Sequence, residues 1–275
     1  MKFKRIIPRK RFGQHWLVDQ VILDKIVEAA DISSNDRILE IGPGKGSLTT
    51  QLISSRACVV HAIEVDRDLT RILKQKFSHE KKFSLSNEDV LNSDLIFPDG
   101  YYANKVVANI PYNITSPILN KLIGRLSKYN NITYKTLILL LQKEVAERIT
   151  AKPGASNYSA ISVRMQLMAN SISICDVPPK AFYPEPKVYS KVLAINPKLN
   201  SDRIDIQVGH KVEVLLNKTF GSRRKMLRNT LKGLSFEDDL SEIFKYLNLS
   251  PDQRPQEISP ENWVLIADKL TQNIF

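Results

Sequence analysis

Four segments of this chain carry residues whose types and spacing suit chemistry on a flat, nitrogen-bearing ring. The first is Asn109-Ile110-Pro111-Tyr112. An exocyclic amine such as that of adenine is a poor nucleophile, because its lone pair is delocalised into the ring. The amide oxygen of Asn109 can accept one N–H. The carbonyl of Ile110 can accept the other, since Pro111 restricts the backbone of the residue before it. Two fixed acceptors favour a pyramidal nitrogen and offset the charge that develops on it, which is electrostatic catalysis by preorganised dipoles. The Tyr112 ring can stack on the base.

The second segment, Glu40-Ile41-Gly42-Pro43-Gly44-Lys45-Gly46-Ser47, follows a strand pattern and opens a helix pattern. Glycines there, Gly42 and Gly44 first, let a ligand approach the backbone, and a helix N-terminus offers free N–H groups to an anion. The spacing is G-x-G-x-G, not the G-x-G-x-x-G of dinucleotide binders. A ligand with a carboxylate and no phosphate fits it. The third segment comprises two acids after strands. Glu64 stands 22 residues after Gly42, where a carboxylate can accept from both ribose hydroxyls of a nucleoside cofactor. Asp89 follows a third strand and can accept from an adenine amine; Glu88 is the alternative for the same role. The fourth segment is Phe182-Tyr183-Pro184-Glu185-Pro186, where Phe182 on a proline-stiffened loop could cover the second face of the base, an interaction worth roughly 1–3 kcal/mol.

The elements that must position these residues follow from periodicity and punctuation. Asp19 caps a helix with apolar positions Ile22, Leu23, Ile26, Val27 and Ala30. Strands are expected at 37–41, 57–64, 83–86, 105–108 and 136–141, with helices from Ser47, over 67–77, 116–126, 142–150 and 158–168. This alternation predicts an α/β, doubly wound, mostly parallel sheet. Strand patterns at 171–177 and 188–195 flank a proline-rich stretch that permits an antiparallel return. Beyond Pro197 the pattern is helical, with helices expected at 208–220, 222–232, 236–247 and 260–272. The expected division is a catalytic domain over residues 1–197, with a basic N-terminal arm, and a helical RNA-binding domain over 198–275.

The net charge is +11 at pH 7, which favours a polyanionic partner. Lys2, Lys4, Arg5, Arg9, Lys10 and Arg11 form one acid-free cluster, and Arg223, Arg224, Lys225, Arg228 and Lys232 another. Both suit phosphate contacts. No metal-ligand spacing is present, and no apolar run reaches the length of a membrane span. The basic N-terminus has no apolar stretch after it, unlike a secretory signal. Cys58 and Cys175 are expected as small buried residues of a reduced cytoplasmic protein.

Together these motifs resemble the ribosomal RNA adenine N6-dimethyltransferase family, in particular its bacterial small-subunit members. Lys10-Arg11-Phe12-Gly13-Gln14-His15-Trp16-Leu17 is similar to the family's N-terminal motif, Glu40 to Gly46 to its cofactor loop, and Asn109 to Tyr112 to its catalytic motif. Phe182 to Val188 matches the loop after the sixth strand, and residues 220–231 match the family's basic helix. The resemblance implies a Rossmann-like S-adenosylmethionine-dependent methyltransferase fold with a mostly parallel seven-stranded sheet and a small all-α C-terminal domain. It implies cofactor contacts at His15, Leu17, Gly42, Glu64, Asp89 and Asn109, with Gly44 in the same loop. The family usually has Asn where this chain has His15. A catalytic role falls on Asn109, Ile110, Pro111, Tyr112 and Phe182, and RNA contacts on Lys10, Arg11, Arg223, Arg224, Lys225 and Arg228. The implied product is two adjacent adenosines, each methylated twice, in the hairpin loop near the 3′ end of small-subunit rRNA. The implied partners are the small ribosomal subunit and its rRNA, with no membrane and a monomeric state.

Three other readings compete. An antibiotic-resistance methyltransferase of large-subunit RNA shares the catalytic motifs. A non-catalytic ribosome-assembly factor on the same fold would keep the basic clusters. An NAD-dependent oxidoreductase lacks its glycine cue here and leaves Asn109 to Tyr112 unexplained.

Overall fold

Seven strands build the central sheet: β1 (Arg37–Ile41), β2 (Val59–Ile63), β3 (Phe83–Ser86), β4 (Lys105–Asn109), β5 (Thr136–Gln142), β6 (Ala169–Val177) and β7 (Ser190–Pro197). Their spatial order is β3-β2-β1-β4-β5-β7-β6. The first five pair in parallel. The computed structural model describes residues 8–9, 12–131, 134–232 and 237–270.

Leu137 to Leu141 in β5 are all fully buried. An unbroken apolar run of this kind is what an interior strand covered on both faces requires. β7 supplies the antiparallel return, from Ser190 opposite Gln142 to Ile195 opposite Leu137. It lies between β5 and β6 and is hydrogen-bonded to both, so it also pairs with the sheet strand that precedes it in the chain.

Helices α1 (Gln20–Ala29), α2 (Ser47–Ser54), α3 (Arg67–Lys76), α4 (Thr115–Ile123), α5 (Lys143–Ile149) and α6 (Ala160–Met168) alternate with the strands. Asp19 caps α1 by accepting from the Ile22 N–H, and Asp66 caps α3 by accepting from the Asp68 N–H. Each satisfies an otherwise orphaned donor of the first turn. The core joins Ile22, Leu23 and Ile26 of α1 to Ile38, Val107, Ile138, Leu140 and Val192 of the sheet.

The described residues fall into two compact units. One lies within 1–122, 132–146 and 172–197, the other within 123–131, 147–171 and 198–275. The expected boundary at 197/198 is thus where the chain last leaves the first unit, while two earlier segments also belong to the second. Their packing explains this. Tyr158, ahead of α6, is fully buried and donates from its hydroxyl to the Ile258 carbonyl. Phe220 stands between the rings of Tyr158 and Trp263, with centroids 6.3 and 6.0 Å away.

The second unit contains α7 (Ile206–Phe220), α8 (Leu227–Leu231), α9 (Glu237–Tyr246) and α10 (Pro260–Lys269). Beyond Pro197 its described residues are helical, and the earlier segments add a short hairpin, Gly124–Arg125 with Lys128–Tyr129. Gly209 of α7 passes over this hairpin's turn, where a Cβ would come within 2.0 Å of the Leu126 carbonyl oxygen. Cys58 is exposed, contrary to expectation, because it precedes β2 instead of lying in it; Cys175 is half-buried.

Candidate active site

Chain progression reverses between β1 and β4, and crevices outside the carboxyl ends of strands at such a switch point are where α/β sheets place ligands. A cleft lies there. Its lining includes His15, Trp16, Gly42, Gly44, Glu64, Glu88, Asp89, Asn109, Ile110, Pro111 and Tyr112. The structure therefore brings all the expected cofactor and catalytic residues except Leu17 and Phe182 to one cleft. Leu17 borders a smaller adjoining recess together with Glu40, Gly42 and Ser47.

The glycine loop shows why glycine is required. Gly42 and Gly44 have φ of +67° and +59°, a region that costs other residues roughly 1–2 kcal/mol. A Cβ on Gly44 would come within 2.5 Å of Trp16 Cδ1, whereas a Cβ on Gly42 would meet no protein atom within 4 Å. Gly42 thus opens onto free space and Gly44 makes room for the indole. The Glu64 carboxylate accepts from the Gly44 N–H (3.2 Å) and the Asp66 N–H (2.9 Å). These bonds fix its orientation and leave lone pairs for two further donors. Burial raises its pKa above the ordinary carboxylate value, opposed by those two N–H groups. Asp89 is held by the Leu91 N–H and the Asn92 side chain. Glu88 also lines the cleft, so both acids remain available at this position.

Asn109 closes β4. Its Nδ2 donates to the His15 carbonyl at 2.9 Å, which turns the amide so that Oδ1 is the free acceptor. Ile110 donates its N–H to the Leu140 carbonyl, which seats the peptide ahead of Pro111. The Tyr112 hydroxyl meets Ser190 Oγ at 2.6 Å, and burial raises its pKa above the ordinary tyrosine value. The His15 ring stacks on Tyr112 with centroids 5.8 Å apart. His15 Nδ1 lies 2.7 Å from the Pro184 carbonyl; a carbonyl only accepts, so Nδ1 carries the proton in this contact.

The model of the family described as ribosomal RNA adenine dimethylase matches residues 7–272. The chain belongs to that family. Among curated relatives, "Ribosomal RNA small subunit methyltransferase A" of Prochlorococcus marinus (strain MIT 9211) is 53% identical over 98% of this chain and 96% of its own length. The protein of the same name from Synechococcus sp. (strain CC9902) is 52% identical over the whole of both chains. A dimethyladenosine transferase from Plasmodium falciparum has a solved structure with TM-score 0.76 at 27% identity, covering 92% of this chain and 96% of that one. The 23S rRNA methyltransferase ErmE shares the fold at TM-score 0.72 and 23% identity, over 94% of this chain and 100% of that one.

This member of the family is an rRNA adenine dimethyltransferase, with S-adenosylmethionine as methyl donor. Its cleft fits that group on structural grounds. Gly42 leaves ligand space above its backbone. Two buried polar atoms, Trp16 Nε1 and Glu40 Oε2, have no hydrogen-bond partner among the described residues, and both residues face the recess beside the glycine loop.

Several expectations need correction. Phe182 is 2% exposed and packs in the core, because residues 182–183 pair as a short strand with Trp16–Leu17. It offers no face to a base; its neighbour Tyr183 is 50% exposed. The basic stretch 222–232 is helical only over Leu227–Leu231. Residues 222–225 form a turn closed by Ser222-to-Thr219 and Lys225-to-Ser222 backbone bonds. Arg223 turns inward and donates from Nη2 to the Ser156 and Tyr158 carbonyls at 2.8 and 2.7 Å, so it braces the second unit. Arg228 pairs with Asp252 at 2.9 Å, while Arg224 and Lys225 line the outer face of the turn. Arg9 is no free phosphate ligand either. It pairs with Asp66 and Asp68, and Gln14 also reaches Asp66, which ties the N-terminal segment along the cleft. Lys10 and Arg11 lie outside the described residues.

Sequence reading missed Trp16 and the state of Glu40. Glu40 is 1% exposed, and burial, with the Glu64 charge beside it, pushes its pKa up to about 8. The unfolded carboxyl titrates near 4.5. Between these values the folded chain holds a proton that the unfolded chain has released. Stability from this group is therefore full below about 4.5 and lost as pH rises through about 8. Denaturant midpoints of the cofactor-free protein are expected to fall from pH 5 to pH 8, and Glu40→Gln to flatten that fall. An equal slope in both proteins would remove Glu40 as its source.

Proposed function

We propose that this chain dimethylates the N6 amines of two adjacent adenosines in the 3′-terminal hairpin loop of small-subunit rRNA. We place this act in the cytoplasm during small-subunit biogenesis, with the protein acting as a monomer on the subunit. The observation that carries the reading is the fixed amide of Asn109, whose Nδ2 is held by the His15 carbonyl. With Nδ2 so engaged, Oδ1 is left as the acceptor, and Asn109 and Ile110 line the same cleft. Two such acceptors suit a planar amine that must become pyramidal to react.

S-adenosylmethionine supplies a methyl group on a sulfonium, an electrophile that needs no activating base. The chain's own part is to position. Asn109 and Ile110 accept the two amine hydrogens, and Tyr112, pinned by Ser190, presents a ring for stacking. The target base must leave its stack to reach the cleft, so an RNA loop is the fitting substrate. The small-subunit target is favoured over the large-subunit one by the curated relatives at 53% and 52% identity, both named for the small subunit. The likeness to ErmE, at 23% identity, bears on the fold alone.

The test is transfer of labelled methyl groups from S-adenosylmethionine into small subunits that lack the modification. Label in two adjacent adenosines is expected. Binding of cofactor and subunit without label would move the reading to an assembly factor; label elsewhere would move it to another target.

Arg224 and Lys225 are expected to touch the RNA. Replacing both by Glu is expected to weaken RNA binding and to flatten the salt dependence of log K by about one unit for each phosphate that is no longer neutralised. Arg223→Gln is expected to lower the melting temperature instead, since it removes the hydrogen bonds to two carbonyls. Unchanged RNA affinity in the double variant would remove the turn from the RNA interface.

A further inference from the structure

Trp16 is positioned by its backbone and by its ring. Its backbone pairs with Tyr183 in the short two-stranded ladder. The indole stacks against the Tyr183 ring at 6.4 Å between centroids, and the Lys45 ammonium sits 4.2 Å above it. Its Cδ1–Nε1 edge lies against Gly44, where a Cβ would come within 2.5 and 3.0 Å of those two atoms. The residue is 6% exposed, so the ring cannot swing outward to find a partner for its N–H. That N–H has none among the described residues.

A buried donor without an acceptor is strongly disfavoured in a folded protein. Trp16 lines both the cleft and the adjoining recess, and its Nε1 edge lies at the glycine loop. The recess also contains Glu40, whose Oε2 likewise lacks a partner. One small space therefore presents an unused indole donor and a buried carboxyl close to the glycine loop. A ligand group with an anionic acceptor next to a cationic donor complements that pair, and an α-amino acid end has this form.

We infer that the Trp16 Nε1–H donates a hydrogen bond to the carboxylate at the amino-acid end of S-adenosylmethionine and so selects cofactors that retain that end. The inference rests on the functional reading above and adds to it a residue and an orientation. The amino-acid end lies at Trp16 and Glu40, and the nucleoside end at Glu64 and Asp89. Trp16 is a binding residue here and takes no part in the transfer itself.

Trp16→Phe keeps an aromatic ring and removes the N–H. Calorimetric titration is expected to show S-adenosylmethionine binding weakened by roughly tenfold or more, the scale of a hydrogen bond to a charged group. Binding of 5′-methylthioadenosine, which lacks the amino-acid end, is expected to be unchanged. A second measurement uses the wild-type protein. Its two tryptophans, Trp16 and Trp263, give two indole N–H resonances. The Trp16 signal is expected to move on addition of S-adenosylmethionine and to stay near its free position with 5′-methylthioadenosine, with Trp263 as internal reference. Equal affinity of wild type and variant for S-adenosylmethionine would overturn the assignment. So would an equal loss for both ligands, which would make the indole a wall of the cleft and nothing more. A wild-type protein that binds neither ligand would overturn the functional reading itself, and this assignment with it.

Discussion

Asn109→Ala is expected to lower the rate of methyl transfer by about 10²–10³, the scale for removing one preorganised electrostatic partner of a transition state. Two effects combine. The amide oxygen that accepts an amine hydrogen is gone, and so is the Nδ2 bond to the His15 carbonyl. The loss is expected mainly in kcat, because the charge on the amine nitrogen develops only during attack. Asn109→Asp separates the two effects. It keeps an acceptor of the same shape but cannot donate to His15. If Asp retains far more activity than Ala, acceptance is the larger contribution; if both fall equally, orientation through His15 is. Single-turnover rates with saturating cofactor and RNA decide between them. Near-wild-type turnover in Asn109→Ala would remove the residue from the chemistry.

Gly44→Ala is expected to harm folding and cofactor binding together. The residue sits at φ +59°, and its added methyl would meet Trp16 Cδ1 at 2.5 Å. Left-handed strain costs roughly 1–2 kcal/mol, and overpacking adds about 1–3 kcal/mol. Either the loop or the indole must move, and both line the cleft. Movement of the loop also disturbs the 3.2 Å bond from the Gly44 N–H to Glu64. Gly42→Ala is the matched control. It carries similar backbone strain, at φ +67°, but its methyl meets no protein atom within 4 Å. It is therefore expected to lose less stability and still to bind cofactor poorly, because the methyl enters ligand space. Thermal melts and cofactor titrations of the two variants should separate in this way. Tight cofactor binding in Gly42→Ala would place the ligand away from the loop.

The parallel half of the sheet is legible in the sequence because each β–α step is punctuated locally. Strand patterns end at Gly42, Glu64 and Asn109, and Asp19 and Asp66 are ordinary caps, so most boundaries fall within a residue or two. The cleft is legible for the same reason, since strand ends converge by topology alone. What escapes depends on pairings between distant segments. Phe182 reads as a loop aromatic until residues 182–183 are seen to pair with Trp16–Leu17. Arg223 reads as one of several equivalent cations until its guanidinium meets the Ser156 and Tyr158 carbonyls. For Trp16, nothing in its neighbours along the chain reveals an N–H without an acceptor.

β7 is the last strand of the sheet to be synthesised, yet it lies inside the sheet. Until residues 190–197 have emerged, β5 has no neighbour on one side, and its five leucine and isoleucine residues from 137 to 141 form an open edge. Such an edge is a template for pairing with another chain. β7 closes it, and its first residue is Ser190, whose hydroxyl meets Tyr112. The strand that covers this edge is thus also the one that fastens the Tyr112 hydroxyl.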